Sequence, residues 1–128
     1  MKLKGIDILN ISEVFSFLAT KEVNLNTAVT IVNNIKILSV PKQVLDEKRN
    51  KIVADCALKE NGHVVTNDDG SVKELINKEE FNKRMSTLFS EDVDVDELKS
   101  IDMKSLSNVT ISPQMLAVLM SFNLVTEE

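Results

Sequence analysis

The sequence holds one thiol and one imidazole, Cys56 and His63. A nucleophilic cysteine needs a lowered pKa and a base steadied by a third group, and nothing in the surrounding sequence supplies that group. Cys56 also falls on an apolar helical register, where packing in a core is the simpler role. His63 reads as a turn residue. A metal site built from Cys and His alone calls for several ligands, and the chain has two. Asp92, Asp94 and Asp96 have the spacing of the first ligands of a calcium loop. Glu97, however, stands where that loop needs glycine, and Met103 where it needs a bidentate glutamate. Asn67, Asp69 and Ser71 fail in the same way, because Lys78 takes the twelfth position. Both sets read as solvated polar residues. Gly5, Gly62 and Gly70 are too far apart to form a phosphate-cradling loop. The densest basic spots are Lys48, Arg49 and Lys51, with Lys83 and Arg84. Asp46, Glu47, Asp55 and Glu80 lie at helical spacing around them, so ion pairing on helix surfaces is expected, with phosphate contact the minor reading. No catalytic, cofactor-binding or metal-binding residue is assigned, and a non-enzymatic protein is expected.

Composition agrees. The 128 residues suit a single domain, 43% of them are hydrophobic and 27% charged, and such a chain folds. Five Phe with no Trp or Tyr leave the core to aliphatic side chains and provide no platform for base stacking. A net charge of −5 without a concentrated basic stretch argues against nucleic acid as a partner. The N-terminal lysines are followed by an apolar stretch broken by Asp7, Asn10, Ser12 and Glu13, unlike a signal peptide. Residues 109–126 are too polar for a spanning helix, so no membrane association is expected. A single cysteine fits a reducing cytoplasm.

The elements that would position these residues are mainly helical, with a small β component: an α+β fold in which a long kinked helix is packed by shorter helices, one hairpin and short strands. Ser12 is a good N-cap for a first helix to about Lys21, with Val14, Phe15, Phe17 and Leu18 on its apolar face. Asn26 caps the long segment, residues 27–60, on which Ile31, Ile35, Leu38, Leu45, Ile52 and Cys56 share one stripe. Pro41 interrupts it and predicts a kink or break at Ser39-Val40, although the register resumes in phase at Leu45. Asn61-Gly62 reads as a left-handed helix C-cap. Asp69-Gly70 reads as the turn of a hairpin between residues 63–66 and 71–73. Asn77 and Glu80 open a helix to about Ser90 that buries Phe81, Met85, Leu88 and Phe89 and packs on the long segment. Residues 92–96 alternate Asp and Val as a half-buried strand with its acids in water, and residues 109–111 form a second short strand. Ser112-Pro113 caps a final helix over residues 114–122, apolar on nearly all sides. Within one domain, 1–62 is a helical part, 63–76 a hairpin excursion and 77–128 the remainder.

Taken together, the N-terminal helix, the Lys- and Asn-rich long helix, the Asn-Gly and Asp-Gly region, Asp92-Val93-Asp94-Val95-Asp96 and Ile111-Ser112-Pro113-Gln114-Met115-Leu116 with its apolar tail resemble an uncharacterised family of short bacteriophage and prophage proteins. The resemblance spans nearly the whole chain, and its most specific parts are the acidic alternation and the Ile-Ser-Pro-x-x-Leu element. Pro41 departs from that family's uninterrupted helix. The resemblance implies a phage origin among small accessory genes and carries no catalytic or binding residue. It places the chain in the host bacterial cytoplasm or in the virion.

The expected function is protein–protein interaction, virion- or assembly-associated; the alternative is an inhibitor that binds and blocks a host defence or regulatory protein. The expected partners are another protein and further copies of the chain. The candidate interaction residues are Leu45, Ile52 and Cys56 on the more polar half of the long segment, and Met115, Leu119, Met120 and Phe122 on the last helix. On this reading Leu45→Asp or Ile52→Asp disturbs association at least as much as folding.

Overall fold

The computed structural model describes residues 1–127. The chain is mainly helical with small sheets, as its patterning predicts. The element order is β1 (Lys2–Lys4), α1 (Gly5–Leu18), α2 (Leu25–Cys56), β2 (Lys59–Glu60), β3 (His63–Val64), α3 (Lys78–Ser90), β4 (Asp92–Asp94), β5 (Ile101–Asp102), a 3-10 turn at Met103–Leu106, α4 (Pro113–Ser121) and β6 (Val125–Thr126). It divides into two compact units, one formed by Met1–Lys42 with the segment from Asp92 onward, the other by Gln43–Glu91. The first break between them falls just after Pro41. Helix α2 contributes residues 25–42 to the first unit and 43–56 to the second.

In the first unit, α1 begins seven residues before the expected Ser12. Its start is fixed by Asp7, whose carboxylate accepts the Lys4 backbone N–H at 3.1 Å, a favourable place for an acid near the helix N-terminus. Ser12 lies inside the helix, and its buried hydroxyl has no partner among the described residues. Ile8, Ile11, Phe15 and Leu18, at steps of three and four, are fully buried and form the face that packs on α4. Phe17, expected on that face, is only half-buried. Asn24, not Asn26, caps α2: its Oδ1 accepts the Thr27 N–H at 2.9 Å, and its Nδ2 donates to the Ser105 hydroxyl at 3.1 Å.

The acidic strand is present over Asp92–Asp94, shorter than the expected 92–96, and its partner is the N-terminal lysine segment. β1 and β4 are antiparallel with Lys2 opposite Asp94, Leu3 opposite Val93 and Lys4 opposite Asp92. Alternation on both strands thus sets opposite charges across from one another on the solvent face, while Leu3 points into the core. The expected strand at residues 109–111 is absent; that stretch follows the 3-10 turn, and the pairing occurs instead between parallel β5 and β6. Helix α4 starts as predicted, with the Ser112 hydroxyl accepting the Met115 N–H at 3.2 Å and Pro113 in the first turn. It ends at Ser121, and the chain is turned away two residues later at Asn123, whose φ of 55° is left-handed. The Leu124 N–H returns to the Leu119 carbonyl at 2.8 Å, and Leu124 is buried. Asparagine tolerates this conformation and alanine does not, so Asn123→Ala is expected to lower stability by about 1–2 kcal/mol in urea unfolding, with Asn123→Gly close to wild type.

In the second unit, Leu45, Ile52, Cys56, Ala57 and Leu88 are buried. Helix α2 ends at Cys56, before Asn61-Gly62. Those two residues, with φ of 53° and 80°, form instead the two-residue turn of the β2–β3 hairpin, in which both central positions must be left-handed. The expected Asp-Gly hairpin is present in shortened form, as a bridge between Thr66 and Val72 with the Asn67 N–H donating to the Ser71 carbonyl at 2.8 Å. Helix α3 follows Asn77 as predicted, although the Asn77 side chain makes no capping bond. Of its apolar residues Leu88 is buried, and Phe81, Met85 and Phe89 are half-buried. It is tied to α2 by Arg84 and Asp55 at 3.0 Å and by the Arg49 guanidinium, 5.9 Å from the centroid of the Phe89 ring.

Candidate functional site

Helix α2 carries two apolar faces. One is the buried stripe anticipated from the sequence: Ile31, Leu38, Leu45, Ile52 and Cys56 stay in phase across Pro41, and the helix is unbroken there. At the position of the stripe next to Ile35 the structure uses Asn34, which is 0% exposed. The Asn34 Nδ2 donates to the Lys99 carbonyl at 2.8 Å, and its Oδ1 accepts the Lys99 N–H at 3.0 Å. Lys99 lies in a stretch without regular structure, so this side chain takes the place of a neighbouring strand for one residue.

The second face was missed by the sequence reading. Leu25, Val29, Val32 and Val40 are 77%, 49%, 48% and 67% exposed. With Lys36 they recur at steps of four and three residues, which at 3.6 residues per turn sets them on roughly the opposite side of the helix from Ile31 and Leu38 and along about 22 Å of its axis. All belong to the first unit. The signal was available: a helix with apolar residues on two faces has more apolar surface than its own fold covers.

The structure places the sequence-predicted interaction residues differently. Leu45, Ile52 and Cys56 are buried and serve packing within the chain. On α4, Leu119 is fully buried, Met115 and Phe122 are half-buried, and only Met120, 51% exposed, is presented to solvent. Helix α4 is therefore buried on one face and not on nearly all sides. His63 lies exposed on β3 opposite Glu60, while Cys56 is enclosed. Asn67, Asp69 and Ser71 do converge, but on one another: Asp69 Oδ1 accepts the Ser71 N–H at 3.0 Å and its hydroxyl at 2.6 Å. These bonds from Ser71 hold the Asp69 carboxyl below the usual carboxylate range. Among the described residues no group of three or more His, Cys, Asp or Glu side chains is arranged to hold a metal ion, and no helix is long and apolar enough to cross a membrane. Compared with protein-family models, curated proteins and solved structures, the chain has no match.

Proposed function

We propose that this protein is a non-catalytic interaction protein that associates through the outward aliphatic face of α2, first with a second copy of itself. The carrying observation is the exposure of Leu25, Val29, Val32 and Val40 along one line of the helix. At an exposed helix position valine contributes little to folding, because its branched β-carbon makes it a poorer helix former than lysine, glutamate or alanine. A row of such residues gains its favourable free energy when another surface covers it. An aliphatic stripe is complementary to itself under two-fold symmetry, so a second copy satisfies it without any further recognition chemistry. The resemblance of the sequence to short phage proteins supports a role in the virion or in its assembly, with the assembled chain presenting its remaining surfaces to other phage proteins.

The test is a Val29→Glu/Val32→Glu double variant. Both positions are about half exposed, and glutamate is the better helix former, so the helical circular dichroism signal is expected to be unchanged. The wild-type chain is expected to co-sediment with assembled particles and the variant to be lost from them. Equal retention of the two would remove the α2 face from the account.

A further inference from the structure

The basic residues that stand apart in the sequence come together in the second unit. Lys48 and Lys51 on α2 and Lys83 and Arg84 on α3 line a cleft of ≈ 340 Å³, whose apolar floor includes Ile52 and Leu88. Arg84 is engaged with Asp55, whose hydrogen bond raises the pKa of the guanidinium and holds its charge in place. Lys48, Lys51 and Lys83 make no ion pair among the described residues, in contrast to the surface pairing expected for them, whereas Arg49 does pair, with Asp46 at 3.6 Å. A chain of net charge −5 thus gathers a concave basic surface over two aliphatic side chains.

We infer that this cleft is a docking site for an acidic peptide segment of a partner protein, one in which carboxylates flank an aliphatic side chain. The lysines supply the charge complement, and the floor offers apolar surface to a side chain entering between them. A bare anion would leave that floor wet. A nucleic-acid strand fits less well: no aromatic residue lines the cleft, and Glu80 in the first turn of α3 and Glu91 just past its C-terminal end set negative charge about 16 Å apart along the same wall. A short peptide fits between these acids, where a continuous phosphate chain would run against them. The inference is independent of the α2 outward face, which lies on other residues.

The probe is a fluorescein-labelled pentapeptide, Glu-Asp-Leu-Asp-Glu, titrated with the full chain and followed by anisotropy. Saturable binding is expected, weakened by salt because the charges sit at the surface. Replacing the central Leu by Gly, or reversing all four charges, is expected to reduce affinity at least about tenfold, as is the variant Lys51→Glu/Lys83→Glu. These two lysines are exposed, so folding is expected to survive, with circular dichroism as the check. Lys73→Glu, also exposed and outside the cleft, is expected to bind as wild type and separates a local site from overall charge. Several outcomes overturn the proposal: no binding, binding indifferent to the Leu or to Lys51→Glu/Lys83→Glu, displacement by inorganic phosphate at concentrations comparable to the peptide, tighter binding of a labelled single-stranded oligonucleotide, or an anisotropy that falls again as more protein is added, which would show a second copy to be the occupant.

Discussion

Asn34→Ala is expected to lower the stability of the first unit by about 2–4 kcal/mol, one of the two largest effects anticipated here. The side chain is fully buried and supplies both hydrogen-bond partners of the Lys99 backbone, at 2.8 and 3.0 Å. Removing it empties a fully buried position and strips the part-buried N–H and C=O of Lys99 of their partners in the protein, and a polar group orphaned away from water costs more than an ordinary hydrogen bond contributes. Asn34→Asp separates the two bonds: its carboxylate still accepts the N–H but now faces the carbonyl oxygen, so it too is expected to destabilise. Asn34→Leu removes the polar group while keeping much of the volume, and is still expected to be destabilising because the Lys99 groups remain. Urea unfolding gives the magnitude. Hydrogen exchange of the Lys99 amide localises it, since that proton is expected to be protected in the wild type and to exchange freely in Asn34→Ala. A change below about 0.5 kcal/mol, with the amide still protected, would show that this pairing does not hold the segment.

Ile52→Asp and Leu45→Asp are expected to act on folding. Both residues are buried, and an aspartate there would lose the aliphatic contacts and bring an ionised group into the apolar packing of the unit, a defect of about 3–5 kcal/mol. Loss of the cooperative transition of the second unit is the predicted outcome in urea, with Ile52→Val as the mild control at about 0.5–1.5 kcal/mol. This differs from the expectation drawn from sequence, in which the polarity of the surrounding segment suggested a surface for partners. Neighbouring charges mark the opposite side of a helix and say little about the depth of the side chain between them. Normal unfolding of Ile52→Asp would contradict the burial described here.

Features encoded within a few residues were legible in the sequence. Ser112-Pro113 specifies a helix start by its own chemistry, and the in-phase stripe through Leu38 and Leu45 survives Pro41 as the pattern indicates. Features that depend on distant chain were not. The Asp-Val alternation of β4 announces a strand but cannot name β1 as its partner, and the paired N-terminal lysines have no meaning until that register forms. Asn61-Gly62 is ambiguous because a helix C-cap and a tight hairpin turn both call for left-handed residues. The helix had already ended at Cys56, and only the pairing of Lys59–Glu60 with His63–Val64 decides between them. Asn34 looks like an interruption of an apolar stripe until Lys99 is beside it. The candidate surfaces follow the same rule. Lys48, Lys51, Lys83 and Arg84 were each visible, but their convergence on one cleft is a property of the packing of α3. The exposed valines of α2 were overlooked because the opposite stripe already accounted for a helix.

On the proposed function, the outward face of α2 joins copies of this chain. Multi-angle light scattering on a sizing column, run over a hundredfold range of loading, measures it most directly for the wild type and for Val29→Glu/Val32→Glu. The predicted result is a wild-type mass at least twice the 14.3 kDa of the chain, falling to 14.3 kDa in a variant with unchanged helical signal. A wild-type chain that stays at 14.3 kDa at every loading, or a variant that keeps the wild-type mass, would contradict it.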